Sequence, residues 1–385
     1  MRVIFPIGST EVQPMRTPTR GEVLRYFLGL GFVNIGGPTA QITMLFQGIV
    51  ERRRWIERDR FVRIMSVCHV LPGPEALQLA IYVGYLTGRM AGGIIAGVTF
   101  ILPGAVVMTV LAAAYVTYGA LPAVNDALYV LKPAVLGIIA AGLVKIGRAA
   151  LTDSRLAIIA VIAFVLLWVA RIDLLVVMVA AGLANVALRN AIRPPAALVS
   201  IAPLLALGAS GWLDFAWVFL KTGLFSFGGA YGSIAFLQQE AVTQRGWLTA
   251  SQLLDGVALS VATPGPFMLF ATFAGYLVAG VPGAIVATVA IFVPSFVFIL
   301  GFARSIERAL TQRVFRDAIA GISAAVVAVI LSVMIALAPA AVTDPTSALV
   351  AAASFAAVVF AKRDVALVAG TAMATGVIFA LARAI

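Results

Sequence analysis

The sequence predicts an all-α polytopic membrane protein built from two homologous repeats of inverted topology, with broken or re-entrant helices and about 11–13 membrane segments. Three observations predict it. Hydrophobic residues make up 62% of the chain against 11% charged, with a mean hydropathy of +1.07, and apolar runs of about 18 residues or more recur along its length, enough for a helix to cross hydrocarbon. The chain also repeats itself: Phe27, Gly31, Gly36, Gly37, Trp55, Pro72, Gly73 and Pro74 recur 192 positions later as Phe219, Gly223, Gly228, Gly229, Trp247, Pro264, Gly265 and Pro266. After one deletion the offset is 191, carrying Ala80, Gly84, Tyr85, Gly92 and Pro103 onto Ala271, Gly275, Tyr276, Gly283 and Pro294. The third observation is the distribution of Lys and Arg, which sets topology.

The first element, residues 1–22, is a polar cytoplasmic tail with Pro6, Pro14 and Pro18 and no apolar core of a signal peptide. The N-terminal transport repeat follows over 23–193, with apolar blocks at roughly 24–49, 61–88, 91–118, 121–146, 156–170 and 172–188. A linker over 194–211 carries a short apolar piece after Pro194-Pro195, read as a spanning helix. The C-terminal repeat, 212–385, has blocks at roughly 214–239, 252–279, 281–303, 314–338, 346–361 and 365–382. If the linker spans, an odd number of crossings precedes the second repeat and turns it over, a transporter signature.

Charge then chooses between two ways of threading these blocks. If every block crosses once, the 25 Lys and Arg outside the deep membrane positions divide 17 against 8. If the first two blocks of each half are re-entrant hairpins, the division is 22 against 3, with only Arg171, Arg245 and Arg383 outside. The positive-inside rule favours the hairpins and a cytoplasmic N-terminus. The net charge of +11 is accounted for by the same rule, so no nucleic-acid partner is expected. A single cysteine, Cys68, allows no intramolecular disulfide and reads as a packing residue.

One histidine and one cysteine cannot build a zinc site, and neither a nucleophile elbow nor a phosphate loop occurs. No metal, cofactor or catalytic residue is expected. What remains is the set of helix breaks. Proline removes a donor and pushes its predecessor toward extended geometry, and freed backbone inside a bilayer must be buried in protein or line a cavity. The breaks fall at Gly36-Gly37-Pro38, Pro72-Gly73-Pro74, Gly228-Gly229 and Pro264-Gly265-Pro266, followed by Thr39 and Gln41, Glu75 and Gln78, Tyr231 and Ser233, and Phe267 and Met268. Half-helix starts present unpaired N–H groups and partial positive charge, which suits an anion. The candidate binding residues are these glycines and prolines with Thr39, Tyr231 and Lys221. Intramembrane ionisable groups are functional candidates, which selects Glu75, His69 and Lys132 for proton coupling; Asp255 reads as an interfacial residue.

These residues resemble a known family. Phe32 to Pro38 (FVNIGGP), Glu51 to Ile56 (ERRRWI) and Leu71 to Ala76 (LPGPEA) are similar to the first half of the chromate ion transporters. Phe225 to Tyr231 (FSFGGAY), Arg245 to Leu248 (RGWL), Leu254 to Gly256 (LDG) and Thr263 to Pro266 (TPGP) are similar to the second half. The resemblance implies a bacterial inner-membrane exporter of chromate, antagonised by sulfate and driven by the proton-motive force. It places functional weight on Gly36, Gly37, Pro38, Pro72, Gly73, Pro74, Glu75, Lys221, Gly228, Gly229, Pro264, Gly265 and Pro266. The chain departs from the family pattern at Ser260-Val261-Ala262, where members carry an acidic residue, and at Leu77 and Ile81. The expected partners are therefore a small inorganic oxyanion and the lipid bilayer, with a homodimer also compatible. A passive anion channel and a membrane-embedded enzyme are the competing readings.

Overall fold

The computed structural model describes residues 18–190 and 211–384, apart from Gly36, Ala120 and residues 303, 304, 306, 307, 309 and 310. The predicted linker helix, most of the N-terminal tail and Gly36 therefore lie outside the described residues. Among the described residues there are helices and turns but no strand.

Among the described residues each half contains seven α-helices. In the first these are α1 (Arg20–Val33), α2 (Pro38–Phe46, prolonged by a wider turn Gln47–Arg52), α3 (Arg58–Cys68), α4 (Glu75–Tyr118), α5 (Pro122–Ala150), α6 (Ser154–Trp168) and α7 (Leu174–Asn190). In the second they are α8 (Trp212–Leu224), α9 (Ala230–Leu237, prolonged by Gln238–Gln244), α10 (Ala250–Ala262), α11 (Phe270–Phe296, led in by a 3-10 turn Phe267–Leu269), α12 (Arg313–Ala341), α13 (Pro345–Val359) and α14 (Val365–Ala384). The starts Arg20, Pro38 and Arg58 match Trp212, Ala230 and Ala250 at an offset of 192, and Pro122, Ser154 and Leu174 match Arg313, Pro345 and Val365 at 191. Capping repeats as well. Asp153 accepts from the Leu156 N–H at the start of α6, and its counterpart Asp344 accepts from the Thr346 and Ser347 N–H groups at the start of α13, satisfying donors that a helix leaves unpaired.

The first block of each half folds back on itself. Tyr26 on α1 meets Trp55, beyond the end of α2, at 5.4 Å between ring centroids. In the second half Phe215 meets Trp247 at 5.6 Å and Phe225 stacks on Phe236 at 5.9 Å. Collinear half-helices would hold these rings tens of ångströms apart, so α1–α2 and α8–α9 are hairpins with both ends on one face. A helix of α1's length rises about 21 Å, short of the roughly 30 Å of hydrocarbon. The second blocks behave alike: Gly256 on α10 faces the Phe273 ring on α11, on the far side of the Pro264-Gly265-Pro266 break.

At the base of the second hairpin α4 bends sharply. Gly88 and Arg89 leave helical geometry (φ/ψ −140/19 and 53/−145), as do Ala279 and Gly280 in α11 (−144/27 and 62/−152). The same kink is built in both halves, but the first places an arginine in the left-handed region, where side chains are strained. Arg89→Gly is expected to stabilise the protein by about 1 kcal/mol, read as a higher unfolding temperature in detergent. A lower temperature would show that the arginine side chain contributes more than its backbone costs.

Beyond the kinks the long limbs of α4 and α11 cross at their small residues. Gly93 faces Leu300 and Gly97 faces Phe296, so as one index rises the other falls and the limbs run antiparallel. Because each limb starts at its own hairpin base, the two bases lie on opposite faces and the repeats are inverted. The remaining helices are exchanged between halves: α5 lies against α13 and α14, and α12 against α6 and α7. Arg189 at the end of α7 pairs with Asp317 on α12, and Tyr129 on α5 donates to Asp344 at 2.8 Å. α5, α12, α14 and the long limbs of α4 and α11 are long and apolar enough to cross a membrane.

Candidate functional site

The four breaks meet, in crossed pairs. Gly73, at φ +120°, and Gly265, at φ +107°, adopt conformations that only glycine takes without strain. The Gly73 N–H donates to the Ser226 carbonyl at 3.2 Å, and the Gly265 N–H donates to the Asn34 carbonyl at 2.8 Å. Each proline-flanked break of one repeat is thus bonded to the glycine break of the other. The Gln41 amide nitrogen, on α2, donates to the Gly265 carbonyl at 2.9 Å. Tyr231, just after the third break, holds its ring against Phe267, just after the fourth, at 5.6 Å. Two long limbs close over this knot: Gly104 of α4 lies against the Pro264 carbonyl and the Gly265 backbone, and Ser295 of α11 lies beside Gly73. A side chain at Gly104 would collide with backbone. Close approach is why small residues stand there.

This arrangement brings the starts of α2, α4, α9 and the 3-10 turn before α11 to the crossings, with neutral polar side chains among them. Gln78 and Asn34 are completely buried, and Ser295 is nearly so. The Gln78 amide nitrogen donates to the Pro72 carbonyl at 2.6 Å, while its oxygen and both polar atoms of the Asn34 side chain have no protein partner. Buried polar atoms in folded proteins are almost always satisfied, and these are the ones at the crossings that the protein itself leaves without a partner.

Of the residues expected in the site, Gly37, Pro72, Gly73, Pro74, Gly228, Gly229, Pro264, Gly265 and Pro266 form the breaks themselves, with Gly229 at the start of α9 and Gly37 capping α2. Pro38 and Thr39 open α2. Gly36 lies outside the described residues. Tyr231 sits at the crossing, its ring over Gly142 of α5. The Gly73 and Gly265 N–H groups are taken by the opposing repeat, so the donors left for a ligand are those of the first helical turns.

The cations are placed differently. Lys221 points back along its hairpin to Glu240, a buried carboxylate that also pairs with Arg245 at 2.5 Å. Arg245 in turn grips Asp214 with a two-pronged contact at 2.7 and 2.8 Å. Lys221 thus braces the hairpin, away from the Gly228-Gly229 break. Lys132 lies 3.0 Å from Asp255 and donates to the Ser251 hydroxyl at 2.8 Å. Asp255 is 1% exposed and accepts from the Tyr115 hydroxyl at 2.9 Å, so it is a buried member of an ion pair between the repeats. His69 Nδ1 is 2.7 Å from Glu75, where the chain turns at the second break. The structure brings this pair together and leaves it beside Gly73.

Sequence reasoning did not select Asn34, Ser226, Ser295 or Glu240. Asn34 and Ser226 stand at matching repeat positions, immediately before the breaks, and that register is the signal that points to them. Ser295 matches Gly104 at the 191 offset and carries no such mark by itself.

Comparison with known proteins adds the following. The chromate transporter family matches twice, over residues 21–186 and 213–377. A chromate transport protein of Pseudomonas aeruginosa is 35% identical over 345 residues, which is 84% of this chain and 82% of that protein. One of Cupriavidus metallidurans is 31% identical over 383 residues, 95% and 94% of the two chains. An uncharacterized transporter of Methanocaldococcus jannaschii is 27% identical over 323 residues, 77% and 80% of the two. No solved structure matches.

Proposed function

Since this chain belongs to the chromate transporter family, a family of membrane transporters and not of enzymes, we propose that it exports chromate from a bacterial cell by secondary active transport. The observation that carries this is the meeting of four helix breaks from two inverted repeats at one interior point. Half-helix starts aimed at a common volume attract negative charge, and broken helices at a repeat interface are where secondary transporters bind substrate. Rocking of one repeat against the other would alternate access. Tetrahedral shape and charge are what backbone N–H groups read, so sulfate should compete.

The protein sits in the inner membrane with its N-terminus in the cytoplasm, and its energy comes from the proton-motive force. Glu75 with His69 is the group placed to couple proton movement to occupancy: it stands at the start of α4, beside Gly73, where its carboxylate and the anion compete for the same helix terminus. A homodimer is compatible with this reading and not required by it.

The test is chromate accumulation by whole cells. Cells expressing the wild-type chain should exclude chromate in an uncoupler-sensitive way, and those expressing Glu75→Gln or Gly73→Leu should not. If both variants exclude chromate as well as wild type, the site is misplaced. If flux persists with an uncoupler and only follows the chromate gradient, the protein is a channel.

A further inference from the structure

Two crossings related by an internal repeat would be equivalent if both served the same purpose, and they are not. A Cβ on Gly73 would come within 2.6 Å of the Gln78 amide nitrogen and 2.7 Å of the Ser295 hydroxyl. At the repeat offset of 191, Gln78 corresponds to Leu269 and Ser295 to Gly104. Those residues flank Gly265 in the same way: a Cβ there would come within 2.6 Å of Leu269 Cδ1 and 3.4 Å of the Gly104 Cα. The same two positions hold a carboxamide and a hydroxyl at one crossing, an isobutyl group and no side chain at the other. Glu75 and His69 likewise belong to the first crossing alone, since their counterparts at 192 are Phe267 and Val261.

The carboxamide at the first crossing is incompletely bonded. Gln78 is fully buried, one N–H goes to the Pro72 carbonyl, and the amide oxygen has no protein partner. An unsatisfied buried acceptor costs about 1–3 kcal/mol, so a partner that comes and goes is the physical reason to keep one there. The partner must bring a hydrogen-bond donor. A carboxamide can donate to a charged oxygen and accept from a protonated one, a combination that matches a tetrahedral oxyanion carrying one proton. Hydrogen chromate loses its proton only near neutral pH, whereas sulfate is fully deprotonated there. Lys132 and Lys221 are held by Asp255 and Glu240.

We propose that Gln78 and Ser295, which meet at the Gly73 crossing, are specificity-determining residues for the anion, a role that Leu269 and Gly104, which hold the same positions at the Gly265 crossing, cannot take. The ligand class is a tetrahedral oxyanion in its singly protonated form, and the proposal rests on the transport reading above. Each repeat therefore supplies one of the two side chains, Gln78 from the first and Ser295 from the second.

The experiment uses the purified full chain in proteoliposomes, with chromate as substrate and sulfate as inhibitor. Gln78→Met keeps the shape and removes both hydrogen-bonding functions. It is expected to raise the chromate KM about tenfold or more and the sulfate Ki by less, so that discrimination between the two anions narrows. Ser295→Ala should weaken chromate in the same direction, while Gly370→Ala, where a Cβ meets nothing within 4 Å, should leave both constants within about twofold. The proposal is overturned if Gln78→Met and Ser295→Ala keep wild-type constants, or if both constants rise equally, as a packing defect would produce. Should Gln78→Met fail to fold, Ser295→Ala decides alone. Calorimetric titration of the same proteins with chromate and sulfate separates the two levels. Binding that depends on Gln78 in a wild-type protein that moves no chromate overturns the transport reading and keeps this site, and absence of binding to either anion overturns both.

Discussion

Asp255→Asn is expected to cost the folded protein about 3–5 kcal/mol, the penalty of breaking a buried ion pair by removing one partner. Asp255 is 2% exposed at its side chain and Lys132 is 18% exposed, so the ammonium left behind cannot reach bulk water. The pair ties α5 of the first repeat to α10 of the second, and the Tyr115 hydroxyl on α4 joins it. Its carboxylate oxygen lies 3.0 Å from the Lys132 ammonium, so removing the carboxylate's charge removes the pair's attraction directly. Lys132→Met should destabilise similarly, and Lys132→Met combined with Asp255→Asn should recover most of the loss, because no unpaired charge remains. Unfolding temperature in detergent and the yield of folded protein in membranes report the three variants. A single Asp255→Asn variant as stable as wild type would mean that water reaches the pair. The double variant also assigns proton coupling: if it still moves chromate uphill, Lys132 is a brace and coupling falls to Glu75 and His69.

The second large effect is expected at Gly104. A Cβ there would lie on the Pro264 carbonyl oxygen, closer than real Cβ atoms approach, with the Gly265 Cα at 3.2 Å. The obstacle is backbone, so no rotamer change relieves it. Gly104→Ala should drive the long limb of α4 away from the crossing, costing about 1–3 kcal/mol of overpacking. Loss of the bond from the Gly265 N–H to Asn34 would add about 1 kcal/mol. At Gly265 itself the nearest side chain is Leu269, which can turn aside, so Gly265→Ala should cost less than the collision at Gly104 despite its positive φ. Gly370→Ala, where a Cβ meets nothing within 4 Å, is the control and should be neutral or slightly stabilising. Equal stability of Gly104→Ala and Gly370→Ala would mean that the limb and the crossing are not in contact.

The sequence by itself determined the class, the duplication, the positions of the breaks and the folding-back of the first blocks. Hydropathy, the chemistry of proline and glycine, repeat register and the sidedness of Arg and Lys are all properties read along the chain, and none needs a distant partner. Even the boundaries at residues 88 and 279 coincide with the kinks in α4 and α11. Which break meets which was decided only by the tertiary structure, because Gln41 finds Gly265 across 224 positions and nothing local to either residue names the other. Lys132 and Lys221 looked alike in sequence as lone cations in apolar blocks. Packing supplied each with a carboxylate, Lys132 with Asp255 of the other repeat and Lys221 with Glu240 of its own hairpin, since an unpaired charge in a bilayer is too costly to leave. The inequality of Gln78 and Leu269 became meaningful for the same reason: only when the two repeats are crossed do these residues occupy one position twice, one able to bond a guest and the other only to fill space.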